Sequence, residues 1–291
     1  MSLHNAMKSV SEIGKVAKRY NSWLVESSKD DHSHDDGKLH PSSVGGCPSR
    51  SAYSMLGFAQ EFKPSHDAKG LKIFAMGTFI HLMLQRGFYL AEILEEHPEK
   101  ADEPHVEILA TIEELNLQGR ADGIILPEFS RWGTRAVLEI KSINSNAFKV
   151  LKGPKPDHIL QATAYYVGLV ERGVLKPEEN EVIFIYYAKD TSEIKEYNIQ
   201  IKDSHIKDMK KRGKKIWDMV NAFRDRSEFP VPYYDNPNKP PCSYCQWKSL
   251  CHDTFVRKDF IERMSNAKTP TGKKTSKGIP RRRPRVSVRG K

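Results

Sequence analysis

Apolar side chains recur at helical spacing in five stretches of the chain. The longest stretch runs from residue 71 to residue 96 and is rich in Phe, Ile, Leu and Met. In another, Asp157 stands where a helix N-cap belongs and Gly173 follows the last helical position. The predicted helices cover residues 1–27, 48–58, 71–96, 157–172 and 204–226.

Between these helices the pattern changes to the alternating or continuous apolar runs that are typical of strands. The predicted strands cover residues 105–114, 117–126, 134–143, 181–188 and 193–201, and the first two are separated by a short break, as in a hairpin. The order is helix, three strands, helix, two strands, helix. It predicts an α/β fold in which helices pack on a sheet.

Charge is distributed unevenly along the 291 residues. The chain has 47 Lys and Arg against 37 Asp and Glu, a formal net charge of +10. Residues 267–291 hold ten of the basic residues and no acid, so the remainder is formally neutral. We therefore expect an N-terminal helix and polar loop over residues 1–41, a folded domain over 42–262, and a disordered basic tail over 263–291.

Several protein classes are excluded by the same composition. No stretch approaches the roughly 18 uninterrupted apolar residues of a membrane-spanning helix. The first residues lack the apolar core of a secretory signal, so we expect a cytoplasmic protein. Four cysteines are too few for a disulfide scaffold in a chain of this length, and metal binding becomes their leading use.

Glu139 and Lys141 lie two residues apart in a predicted strand, so their side chains leave the same face. Taken alone, this pair is best interpreted as a structural ion pair. Asp122, however, lies in the strand that precedes it, and neighbouring strands could bring Asp122 and Glu139 close enough to share Mg²⁺ or Mn²⁺. Such an ion can polarise a phosphodiester, and Lys141 could orient the attacking water or accept its proton.

Three further residues fit the same site. His81 lies on an otherwise apolar helix, where a lone histidine is more often a hydrogen-bonded core residue than a ligand. Gln161 and Tyr165 lie four residues apart and so share one helical face. Both could serve packing alone, or they could hold a base, a sugar or Lys141.

Taken in order, His81, Asp122 in GRADG, Glu139-Ile140-Lys141 and Gln161-x-x-x-Tyr165 resemble the RecB-like branch of the PD-(D/E)XK nucleases over residues 42–255. The resemblance implies a restriction-endonuclease-like core, with a mixed central sheet flanked by helices. It implies that Asp122, Glu139 and the Ile140 carbonyl bind Mg²⁺ or Mn²⁺, with His81 as a further ligand. It also implies catalytic support from Lys141 and Gln161, and DNA contact by Tyr165.

The cysteines form a C-x2-C-x5-C group, Cys242, Cys245 and Cys251, with Cys47 far upstream. Four thiolates suit either Zn²⁺ or a 4Fe-4S cluster, and His252 offers zinc another ligand. Spacing alone leaves both open. The arrangement resembles the iron-sulfur exonucleases of CRISPR adaptation and of AddB-type recombination enzymes, which implies a 4Fe-4S staple between the N- and C-terminal segments.

The sequence thus predicts a metal-dependent DNA nuclease, expected to be an exonuclease on DNA ends or single strands. The alternative is a catalytically silent iron-sulfur subunit that binds DNA in a larger nuclease-helicase or adaptation complex. Expected partners are DNA and a helicase, recombination or CRISPR-adaptation protein, without a membrane. Candidate DNA contacts are Arg50, Arg120 and, in the tail, Arg281, Arg282 and Arg283. The basic run 210–215 is as readily a solvated helix face.

Overall fold

The computed structural model describes residues 15–27, 37–58, 60–61, 67–97 and 107–267. The chain divides into two compact units, residues 1–252 and 253–291. The predicted DNA contacts Arg281, Arg282 and Arg283 lie outside the described residues. No helix in the described part is long and apolar enough to cross a membrane.

Eight α-helices lie in the described part of the first unit. They are α1 (Lys15–Ser27), α2 (Pro41–Gly45), α3 (Pro48–Met55), α4 (Ala68–Leu90), α5 (Ser145–Val150), α6 (Pro156–Glu171), α7 (Asp203–Arg226) and α8 (Lys248–His252). The second unit contributes α9 (Thr254–Ala267).

The strands form two sheets. β1 (Ile108–Ile112) and β2 (Leu117–Ala121) form an antiparallel pair. The larger sheet has the order β3 (Gly123–Ile125), β4 (Ala136–Ile143), β5 (Glu181–Ala188) and β6 (Ile194–Gln200). Its central pair, β4 and β5, is parallel and its outer pairs are antiparallel, so the predicted mixed sheet flanked by helices is confirmed.

The two faces of β4 belong to different cores. Leu138 and Ile140 pack with Ile80 and Leu84 of α4. Val137, on the opposite face, belongs to the larger core that also contains residues of β1, β2, α6 and α7. A strand buried on both faces needs an almost continuous apolar run, which explains the sequence of β4. The same alternation places Glu139 and Lys141 on the side of α6.

Several predicted elements have different bounds in the structure. The strand expected over residues 117–126 is interrupted at Asp122, where β2 ends and β3 begins. The prediction that Asp157 caps its helix is wrong, because Lys155 is the N-cap and Pro156 begins α6. Proline suits a first helical position, since its missing N–H would have no partner inside the helix. The helix expected over 71–96 ends at Leu90, and Leu94 then forms a bridge to Ile125 of β3.

Close approach between α6 and β1 fixes the position of α6. A Cβ on Gly168 would lie 2.8 Å from the backbone nitrogen of Thr111 and 3.0 Å from the carbonyl carbon of Ala110. Such contacts are shorter than van der Waals separation and involve backbone that cannot swing aside. Glycine at this position therefore allows α6 to lie directly on the strand.

We expect Gly168→Ala to lower the free energy of unfolding by about 1–3 kcal/mol, because the added methyl overpacks the helix–strand contact. Gly87→Ala in α4 is the matched control: a Cβ there meets nothing within 4 Å, and alanine should raise the free energy of unfolding by about 0.5–1 kcal/mol. Urea unfolding of both variants measures the difference. Equal effects of the two substitutions would contradict the close approach.

Candidate active site

Asp122 lies at the break between β2 and β3, and its carboxylate is almost fully buried. Its Oδ2 atom accepts a hydrogen bond of 2.6 Å from the backbone N–H of Ile140. Its Oδ1 atom lies 3.1 Å from Nδ1 of His81 on α4. One side chain therefore joins the strand break to β4 and to the helix that covers the sheet.

His81 is held in a charged environment in spite of its apolar helix. Burial lowers its pKa, but the hydrogen bond and the negative charge of Asp122, with the charge of Glu139, outweigh that effect and raise the pKa above its ordinary value. Gln85, one helical turn further along α4, donates a 2.8 Å hydrogen bond to the backbone carbonyl of Asp122. These two residues fix α4 against both the side chain and the backbone of Asp122.

Glu139 and Lys141 form an ion pair in which Nζ of Lys141 lies 2.6 Å from Oε1 of Glu139. The predicted shared face is thereby confirmed. Only 2% of the Glu139 side chain is exposed. Burial raises the pKa of Glu139, Lys141 opposes that rise, and the charge of Asp122 adds to it. Lys141 thus neutralises Glu139, whereas Asp122 is held by His81 and the Ile140 N–H.

Gln161 and Tyr165 continue this hydrogen-bonded chain on α6. Nζ of Lys141 donates to Oε1 of Gln161 over 2.9 Å, and Nε2 of Gln161 donates to the hydroxyl of Tyr165 over 3.1 Å. The pKa of Tyr165 is raised, chiefly by burial and then by the charge of Glu139. The structure therefore brings together His81, Asp122, Glu139, Lys141, Gln161 and Tyr165 as the sequence predicted.

Three more polar residues at this site were not predicted. Gln85 follows His81 by four residues, which is the same spacing as between Gln161 and Tyr165. This spacing could have identified Gln85 from the sequence. Burial and the charge of Asp122 raise the pKa of Glu107, which lies just before β1. Burial and then Lys141 lower the pKa of His158 to about 4, and its Nδ1 lies 2.7 Å from the hydroxyl of Tyr186. No sequence pattern distinguishes Glu107 or His158.

The metal ligands implied by the sequence are Asp122, Glu139, His81 and the Ile140 carbonyl. Within the described ranges, no three His, Cys, Asp or Glu side chains are grouped so that they could hold a metal ion. Lys141 provides the positive charge beside Glu139 instead. The donor types still suit a hard divalent cation, because two buried carboxylates raise each other's cost of ionisation and a cation between them would remove it.

Three of the four cysteines line one cavity of about 520 Å³: Cys47, Cys242 and Cys245. Burial and the neighbouring thiols raise the pKa values of Cys242 and Cys245. Cys251 is buried in α8 and is not among the residues that line this cavity. The donor set suits zinc or an iron-sulfur cluster, although the thiols do not form a compact metal-holding group among the described residues.

Hydrogen bonds join the N- and C-terminal parts of the first unit beside these cysteines. The hydroxyl of Tyr53 donates to the Pro230 carbonyl over 3.0 Å. The indole N–H of Trp247 donates to the Phe58 carbonyl over 3.0 Å. Protein contacts alone therefore bring the predicted N- and C-terminal segments together, independently of what the cysteines bind.

Of the predicted DNA contacts in the described part, Arg50 and Arg120 are exposed and Tyr165 is buried. Arg50 follows Cys47 and lines the cysteine cavity. Arg120 lies on β2, and its charge acts on Glu107 beside Asp122. Both cations therefore lie near predicted functional groups.

Comparison with solved structures finds distant similarities. The protein SSO0001 is 19% identical with a TM-score of 0.47, covering 82% of this chain and 96% of its own. An alkaline exonuclease from Laribacter hongkongensis is 17% identical with a TM-score of 0.41, covering 65% and 91%. A putative exonuclease from Eubacterium rectale is 11% identical with a TM-score of 0.42, covering 80% and 93%. No curated protein matches the chain by sequence.

The family comparison is more direct. The model of the PD-(D/E)XK nuclease superfamily matches residues 83–252, which is more than half of the chain. The match includes Asp122, Glu139, Lys141 and Gln161, and it begins two residues after His81. The chain therefore belongs to the PD-(D/E)XK nuclease superfamily.

Proposed function

We propose that this protein is a metal-dependent DNA nuclease whose active site contains Asp122, Glu139, Lys141 and Gln161. The observation that supports the proposal best is the chain of contacts from His81 through Asp122 to β4, and from Glu139 through Lys141 to Gln161. Three separate elements contribute to this buried polar group in a chain that belongs to a nuclease superfamily. A merely structural ion pair would not need the histidine and the amide.

A Mg²⁺ or Mn²⁺ ion held by Asp122, Glu139, His81 and the Ile140 carbonyl would supply a Lewis acid for the phosphodiester. Lys141 has three N–H donors, and Glu139 and Gln161 occupy two of them. The third can be donated to the attacking water or to a phosphate oxygen. Gln161 and Tyr165 keep the ammonium group pointed at that position.

The finer assignment rests on the order of the motifs. We propose an exonuclease of the RecB-like type that acts on DNA ends or single strands in the cytoplasm, in DNA repair, recombination, or phage or CRISPR DNA processing. A helicase, recombination or CRISPR-adaptation protein is the proposed protein partner. Arg50, Arg120 and Tyr165, together with the basic tail, are the proposed DNA contacts.

We also propose that Cys47, Cys242, Cys245 and Cys251 hold a 4Fe-4S cluster, with Zn²⁺ as the alternative. Support comes from the shared cavity of three of these thiols and from the burial of the fourth. The cluster would add a covalent tie to hydrogen bonds that already join residues 53–58 to residues 230–250.

A catalytically silent DNA-binding subunit is the second candidate. The ion pair between Lys141 and Glu139 favours it, because a lysine can neutralise a buried carboxylate without any metal. The two candidates differ in one property: only the enzyme loses cleavage when Asp122 is changed.

Asp122→Asn should reduce Mn²⁺-dependent cleavage of end-labelled single-stranded DNA by about a hundredfold or more, because it removes a metal-binding charge. Mn²⁺ should also raise the melting temperature of the wild type but not of this variant. Asp218→Asn, at an exposed position on α7, is the matched control and should behave like the wild type. Negligible cleavage by all three proteins, with DNA binding retained, would favour the silent subunit.

Tyr165→Phe should lower the cleavage rate about three- to tenfold, since it removes the hydroxyl that accepts a hydrogen bond from Gln161. Tyr166→Phe removes the hydroxyl of the next residue. That hydroxyl donates a 2.6 Å hydrogen bond to the Pro177 carbonyl, which is not part of the site. It should leave the rate unchanged and cost about 0.5–1.5 kcal/mol of stability. Single-turnover rates and urea unfolding separate the two effects. A rate loss from Tyr166→Phe as large as that from Tyr165→Phe would argue against the positioning role.

Protein purified without oxygen should be brown and contain iron and acid-labile sulfide in equal amounts. Cys47→Ser and Cys251→Ser should each remove the visible absorption and the iron, because every cluster iron needs its thiolate. Metal analysis alongside the absorption spectrum provides the measurement. A colourless wild type with stoichiometric zinc and no iron would exclude the cluster.

A further inference from the structure

A cavity of about 530 Å³ lies beside the N-terminal turns of α6. Residues of α6 line one part of it, residues of α7 line another, and Tyr233 from the segment after α7 completes the lining. This volume is within the range of small-molecule sites rather than of surface irregularities. None of the predicted catalytic residues and none of the cysteines is among the residues that line this cavity.

Positive charge dominates the α7 part of the lining. Lys211, Arg212 and Lys215 line the cavity, against the single acid Asp208. Lys211 and Lys215 are exposed and lie four residues apart, so both leave the same side of the helix. Three neighbouring cations with one anion leave an excess charge of two, which an anionic ligand would neutralise.

Tyr233 holds two of these cations in place. Its ring centroid lies 4.7 Å from Nζ of Lys215 and 5.3 Å from the guanidinium carbon of Arg212. Arg212 also donates to the Tyr233 hydroxyl and to the Gly45 carbonyl, each over 3.1 Å. These bonds use two of the five N–H donors of Arg212 and hold its guanidinium group against the protein. Lys211 and Lys215 are the exposed cations of the lining and are therefore the better placed for a ligand.

The α6 part of the lining is apolar. Ile159 and Leu160 are only half-buried there, although they are large aliphatic side chains. An apolar wall opposite two ammonium groups matches a nucleotide, whose base is flat and apolar on its faces and whose phosphate is anionic. Bases of a duplex are stacked and have no free face, so the matching polymer is a single strand.

The cavity is also connected to the catalytic group through α6. Leu160 lines the cavity, and the next residue, Gln161, accepts a hydrogen bond from Lys141. The α6 residues that line the cavity extend from Pro156 to Leu160, so they precede Gln161 by roughly 1.5–7.5 Å along the helix axis. One strand of nucleic acid can therefore occupy both.

We propose that the cavity between α6, α7 and Tyr233 binds a nucleotide of single-stranded DNA, with the phosphate on Lys211 and Lys215 and the base against Ile159 and Leu160. The site would hold the strand close to the bond that is cleaved. Its role in cleavage rests on the proposed nuclease function, but its ability to bind DNA does not.

The test compares two double variants of the same helix. In Lys211→Ala/Lys215→Ala both cavity lysines are removed. In the control, Lys210→Ala/Lys214→Ala, the same number of charges is removed at the same spacing, but on the side that faces Glu114. Binding of a fluorescent oligothymidylate is followed by anisotropy in EDTA, and thermal melting confirms that both variants fold.

The cavity variant should bind the oligothymidylate about tenfold more weakly at low salt, and its log–log salt slope should be smaller by about 1.4, the value for two phosphate contacts on a single strand. The control should change affinity less than threefold.

Asp208→Asn should tighten binding, since it removes the only acid in the lining. An abasic oligomer of equal length should bind the wild type more weakly than the oligothymidylate. An equal loss of affinity in both double variants, or no loss in either, would overturn the proposed nucleotide site.

Hydrolysis of the p-nitrophenyl ester of thymidine 5′-monophosphate, a substrate that reaches only the catalytic group, separates this proposal from the proposed function. The cavity variant should hydrolyse it at the wild-type rate. If the wild type cleaves neither the ester nor DNA, the nuclease proposal fails. The binding measurements still decide whether the cavity binds single-stranded DNA.

Discussion

The site depends on the cost of burying two carboxylates between apolar strands. Asp122 and Glu139 are both less than a tenth exposed, the first directly before the apolar β3 and the second within the largely apolar β4. An unpaired buried carboxylate is strongly unfavourable, so each must be given donors or cations. Asp122 receives the Ile140 N–H and His81, and Glu139 receives Lys141. The surrounding elements are positioned so as to supply these groups.

That requirement explains the local architecture. The chain interrupts its strand at Asp122, so the carboxylate can reach the Ile140 N–H of β4. On one side α4 contributes His81 and Gln85. On the other side α6 contributes Gln161, and it lies close enough to the sheet because Gly168 carries no side chain against β1. The polar group is therefore fixed by protein contacts from both sides of the sheet, with the Lys141 ammonium beside Glu139.

Periodicity predicted this arrangement where the elements are regular. The period of two placed Glu139 and Lys141 on one face, and the period of 3.6 placed Gln161 and Tyr165 together; the contacts in the structure confirm both. The capping prediction at Asp157 failed because proline at position 156 is the stronger start signal. Glu107 and His158 could not be predicted, since their relation to Asp122 and Lys141 arises only when distant segments pack.

The net charge of the sequence says little about where an anionic polymer would bind, because opposite faces of one helix differ. On α7, Lys210 pairs with Glu114 over 2.8 Å, whereas Lys211 and Lys215 turn towards a cavity with one acid. Charge that is paired on the surface adds little attraction, since the partner cancels its field within a few ångströms. Lys215 also lies over the Tyr233 ring, which attracts the ammonium group and holds it beside the cavity. A chain that is neutral before residue 267 can thus still offer a single strand a localised cationic site next to its buried carboxylates.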